Sequence, residues 1–149
     1  MSDYIRIFCR SSRPVALTDI TQFIEDGVYF DLTPRFDPPP GGDNEAEWQR
    51  LTVFYHPEKR PIVFYKSVNN ALMRDEIAEI SAGLPEDARQ RLDKSWQTVA
   101  IEIDGSSLTE EAWEMLDSLE AYLAQRYDGI ISVDDEGFYD ASLQKIDFG

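Results

Sequence analysis

The chain has 149 residues and a formal net charge of −15, from 14 basic and 29 acidic side chains. Its 42% hydrophobic and 12% aromatic content is too rich in core formers for a disordered chain, and its length suits one domain, 1–149, that needs no staple to fold. One cysteine excludes an internal disulfide, a lone histidine leaves no zinc-type ligand set, and no apolar run approaches the roughly 20 residues that span a bilayer.

MSDYIRIFCR lacks the long apolar stretch of a signal peptide, so the expectation is a soluble, cytoplasmic protein with no membrane association. The charge is lopsided. Residues 1–75 hold 9 basic and 11 acidic side chains, whereas residues 76–149 hold 5 and 18. Such a field repels nucleic-acid phosphates and steers cationic partners, so no nucleic-acid ligand is expected.

In chain order, YIRIFCR (4–10) alternates with period two and predicts a strand. PVALTDITQFIEDG predicts a short helix from Thr18 to Asp26 that ends at Gly27, and GVYFDL (27–32) continues as a strand. Residues 33–48, with four prolines and two glycines, predict a long exposed loop. RLTVFY and PIVFYK flank the polar turn HPEKR and predict a hairpin. Met73, Ile77, Ile80 and Leu84 recur at helical spacing, and Pro85 followed by acids opens a second short helix. WQTVAIEID (96–104) is a strand, and residues 106–127 form the longest helix. DGIISVDDEGFYD (128–140) closes the series as a hairpin.

The five acids of that last segment do not make a calcium loop. With Gly137 at loop position 6, position 12 falls on Leu143 instead of the bidentate glutamate such loops require. No residue is therefore assigned to a metal, and no cofactor is expected.

Strand, LTD, helix, EDGV, strand near the start is echoed by strand, LTE, helix, YDGI, strand near the end. The fold class expected is α+β: a mainly antiparallel sheet with helices packed on it, built from ferredoxin-like β-α-β units with extra strands.

Candidate chemistry is sparse. Cys9 is in phase with Ile5 and Ile7, which makes it a core residue before it is a thiol nucleophile paired with His56. Glu102, Asp104 and Asp128 could serve a small carboxylate-based enzyme, with or without a divalent cation. The aromatics of YIRIFCR and TVFY could stack bases, but the glycine-and-basic signature of RNA-binding sheets is missing. They are expected to lie beneath a helix or loop.

The long helix carries the sharpest functional expectation. At about 100° per residue, Ala112, Leu116, Leu119, Leu123 and Tyr127 form a core stripe, while Glu110, Glu114 and Asp117 fall on the opposite side. Trp113 sits between the faces, either stapled to Leu108 across a Thr109 cap or serving as an interface anchor. The expected function is an acidic protein–protein interaction module of inhibitor or immunity type, with Glu110, Trp113, Glu114 and Asp117 docking on a basic partner protein. A homodimer through an exposed sheet edge is a further possibility.

Overall fold

A computed structural model describes residues 3–40 and 45–147. Eight strands form one sheet in the order β2-β3-β4-β5-β1-β6-β7-β8, and every pairing is antiparallel. The strands are β1 (Asp3–Cys9), β2 (Arg35–Asp37), β3 (Arg50–Phe54), β4 (Ile62–Val68), β5 (Gln97–Ile103), β6 (Gly129–Val133), β7 (Gly137–Tyr139) and β8 (Lys145–Ile146). The helices are α1 (Leu17–Gly27), α2 (Ala71–Ser81), α3 (Glu86–Asp93) and α4 (Glu110–Tyr127). The expected α+β class is present, and no helix of the described residues is long and apolar enough to cross a membrane.

Period-two patterning sorts the strands onto two faces. Ile5, Ile7 and Cys9 of β1 join Leu51, Val53, Ile62, Phe64, Val99 and Ile101 in the main core, which α1 and α4 cover. From α4 come Ala112, Leu116, Leu119, Leu123 and Tyr127, the stripe that helical periodicity marks, together with Met115 and Ala124. Phe8 and Ile130, on the other face, pack with Met73, Ile77 and Leu92 of α2 and α3 in a smaller cluster. The sheet therefore has one fully covered face and one covered only toward β6–β8.

The helix ends follow capping chemistry. Thr109 Oγ1 accepts from Ala112 N at 3.2 Å, and Asn70 Oδ1 accepts from Met73 N at 2.8 Å. Asp19 Oδ2 accepts from Ala16 N and closes a capping arrangement at the start of α1. Gly129 is required by close approach: a Cβ there would sit 2.9 Å from Ile7 Cγ2 and 3.2 Å from the Ala124 backbone.

Two expectations fail around residues 27–48. GVYFDL is not a strand. Val28 takes a left-handed φ of 48° and caps α1, after which Tyr29 stacks on Phe23 and Phe30 lies against Tyr55. Aromatic packing has overridden the β-branched, aromatic pattern that reads as extended chain. The proline-rich segment 33–48 is not simply an exposed loop either. It contains β2, buries Phe36 and Trp48, and ties Glu45 to Thr18 at the start of α1. Its glycines, Gly41 and Gly42, lie outside the described residues.

A polar staple holds the segment after β1. Gln97 Nε2 donates to the carbonyls of Ser11 and Arg13, while its Oε1 accepts from Val15 N at 2.9 Å. Trp48 Nε1 and the buried Lys66 Nζ both donate to Val15 O, at 2.8 and 3.0 Å. Burial pulls the Lys66 ammonium below its usual pKa, and the Val15 and Ala46 carbonyls, which accept from it, compensate part of its lost hydration.

Candidate functional site

The sequence-derived residues occupy the outer side of α4, where Glu110, Glu111, Glu114 and Asp117 are exposed. Among the described residues, Glu110 and Glu114 make no side-chain hydrogen bond or ion pair, so no described cation neutralises these two carboxylates. Glu110 and Glu111 sit in the first turn, where the helix dipole favours negative charge. Burial, with Glu136 close by, raises the Asp117 carboxyl above its usual pKa.

Leu108 turns inward against the main core, and Trp113 does not follow it. The indole remains 38% exposed and overlies the turn that links β5 to α4, with Cζ2 3.9 Å from the place a Cβ of Gly105 would take. A large aromatic left partly in water beside unpaired carboxylates has the composition of an interface anchor with a charged rim.

Glu120 departs from the sequence reading. Helical projection puts it at the margin of the acidic face, yet it is only 4% exposed. Burial, then Asp117 and Glu136, push its carboxyl up to about 8. Despite these neighbouring acids, no group of three His, Cys, Asp or Glu among the described residues could hold a metal ion. The acidic segment after β6 is a hairpin with Gly137 at φ 127°, and Asp134 serves it by accepting from Tyr4 N and Arg6 Nη1.

The carboxylates of the enzyme reading are not brought together. Glu102 and Asp104 lie at the end of the sheet where Asp3 pairs with Ile103, whereas Asp128 precedes Gly129, which pairs with Cys9 at the other end. Five residues of strand, roughly 17 Å, separate Tyr4 beside Glu102 from Cys9. Asp104 accepts from Ser106 and Ser107, whose hydrogen bonds hold its pKa below the usual value, and Asp128 pairs with Arg10 at 2.8 Å. Cys9 is fully buried with its thiol pushed up to about 12, and His56 lies in the β3–β4 turn at the opposite end. Neither pair has the geometry of a nucleophile and its base.

A second candidate surface emerges only in three dimensions. The half of the sheet that α2 and α3 leave uncovered carries Tyr4, Arg6, Arg50, Tyr65, Thr98, Ala100 and Glu102 on one side. The Tyr4 and Tyr65 hydroxyls both donate to Glu102, at 3.0 and 3.2 Å. For Tyr4 the hydrogen bond to Glu102 is the main cause of a raised pKa, and for Tyr65 burial is, so both phenols stay protonated donors. Arg6 lies 5.0 Å over the Tyr4 ring and bridges Asp134 and Glu76, while Arg50 lies 5.8 Å over Tyr65. A groove of about 960 Å³ opens here, between α2 and the segment 46–49.

The expectation that the aromatics of YIRIFCR and TVFY are covered thus holds for Phe8 and Tyr55 and fails for Tyr4 and Phe54, which are half-exposed, as is Tyr65 on β4. Strand parity, with Tyr4, Tyr65 and Glu102 all off the apolar phase, is the signal that could have found this surface. No protein-family model, curated protein or solved structure matches the chain.

Proposed function

We propose that this protein is an acidic interaction module, of inhibitor or immunity type, that docks through the outer face of α4 on a basic surface of another protein. The observation that carries the reading is Trp113, left 38% exposed on a helix whose neighbouring Glu110 and Glu114 have no cation partner among the described residues. Glu110, Glu114 and Asp117 supply steering and rim contacts, and Trp113 supplies the apolar anchor. The −15 net charge extends the attraction beyond the contact itself.

The scaffold supports a ferredoxin-like description of the inner sheet. The order β4-β5-β1-β6, with α1 and α4 on one face, supports reading β1-α1-β4 and β5-α4-β6 as two β-α-β units. Both sheet edges are short, three residues in β2 and two in β8, which favours a helix-face contact over edge-to-edge dimerisation. A cytoplasmic location is part of the same reading.

The test is capture of partners by tagged wild-type protein and by two charge-reversed variants, at low and high salt. One variant carries Glu110→Lys, Glu114→Lys and Asp117→Lys, and the other reverses Glu86, Asp87 and Asp93 on α3. The reading expects a basic protein retained by the wild type and the α3 variant at low salt and lost by the α4 variant while that variant still folds. Equal retention by all three refutes it.

A further inference from the structure

We propose that the groove on the uncovered half of the sheet binds a small amphipathic carboxylate, held by Arg50 at one end and Thr98 at the other. This inference is independent of the α4 surface, which lies on the other side of the sheet.

Three observations carry it. The first is shape. Ala100 stands in a row across the sheet between Tyr65 on β4 and Arg6 on β1, so a methyl group lies where its neighbours carry long side chains. The hollow is walled by α2 and by residues 46–49, and its volume of about 960 Å³ falls in the range of sites for small organic ligands.

The second is uncompensated polarity. Thr98 is 2% exposed, and its Oγ1 has no hydrogen-bond partner among the described residues, although it lines the groove. A buried hydroxyl without a partner is unfavourable, and a polar group of a ligand would supply the missing hydrogen bond. Arg50, exposed on the platform of the Tyr65 ring, makes no ion pair or side-chain hydrogen bond among the described residues. Of the cations lining the groove, Arg6 is taken by Glu76 and Asp134 and Lys66 by backbone carbonyls. Arg50 alone is left for an external anion, and its planar guanidinium suits a carboxylate.

The third is the apolar rim. Val68 is 41% and Leu72 is 71% exposed at the margin of the groove, and Trp48 closes its far side. Arg50 and Thr98 are two strands apart, roughly 10 Å across the sheet. A ligand of that length would place a carboxylate on Arg50, its body over Ala100 beneath Leu72, and a polar group near Thr98. Glu47 and Glu76 on the walls act against ligands with several negative charges and select for a single carboxylate.

The experiment is isothermal titration of the intact chain with decanoate, N-acetylphenylalanine and decylamine. The expected result is a Kd below 1 mM for at least one carboxylate, on the order of tenfold tighter than for decylamine. Arg50→Gln, an exposed substitution, is expected to weaken that carboxylate at least tenfold, and Leu72→Glu to abolish it. The proposal is overturned if neither carboxylate binds better than the amine, or if Arg50→Gln leaves the affinity unchanged in a variant whose circular dichroism matches the wild type.

Discussion

On one side of the sheet, α1 and α4 cover Ile7, Leu51, Phe64 and Ile101, and none of these has exposed area. On the other, α2 and α3 cover Phe8 and Ile130 and stop short of Tyr4, Tyr65 and Glu102. The covered side is built mainly from apolar side chains that need no hydrogen-bond partner. The open side is built from arginine–aromatic stacks and hydroxyl–carboxylate bonds, which satisfy polar groups without a lid. Stability resides on the first side, and the second is free to meet a ligand. The same division recurs within α4, whose inner stripe fixes the fold while its outer face carries unpaired charge.

The largest expected effect is on the covered side. Leu119→Ala removes a side chain with no exposed area and should cost about 2–5 kcal/mol, measured by urea denaturation. Tyr65→Leu on the open side should cost much less, and an equal cost would erase the distinction.

Next comes Glu120, buried with its carboxyl raised from 4.5 to about 8. Its folded form holds the proton more tightly than the unfolded chain. Stability from this group is therefore fully present below pH 4.5, falls as the pH rises toward 8, and is flat above that. Glu120→Gln should flatten this slope and stabilise the protein on the order of a few kcal/mol at pH 8. A pH series of thermal unfolding on both proteins checks it.

Gln97→Ala leaves Val15 N and two carbonyls without their partner and should cost about 2 kcal/mol. Smallest is Thr98→Val on the open side. Because Oγ1 has no partner among the described residues, replacing it should be neutral or stabilise by up to about 1 kcal/mol. A loss of 2 kcal/mol or more would mean that the hydroxyl is bonded in the folded chain.

The covered side was largely legible in the sequence. Period-two alternation in 4–10 and 96–104 and the stripe from Ala112 to Tyr127 each report burial against a neighbour, so they identify strands, helix and inward faces. The acidic face of α4 was legible for the same reason, and Glu110, Trp113, Glu114 and Asp117 are all exposed as helical spacing places them. Glu120 was not, because helical projection ignores what the β6–β7 hairpin brings beside the helix. The segment 27–48 misled because Tyr29 and Phe30 look like a strand and are held instead by ring contacts with Phe23 and Tyr55. The groove was hidden for a topological reason. Tyr4, Tyr65 and Glu102 become neighbours only through the strand order β4-β5-β1, which no local pattern encodes.

The most direct test of the interaction account is the affinity of the captured basic partner as a function of salt, for the wild type and for Trp113→Ala and Glu114→Lys. The account predicts a Kd that weakens steeply between 50 and about 500 mM salt, a loss of tenfold or more on Trp113→Ala at every salt, and a shallower salt slope for Glu114→Lys. A Kd that ignores salt and both substitutions would contradict it and place the contact elsewhere on the molecule.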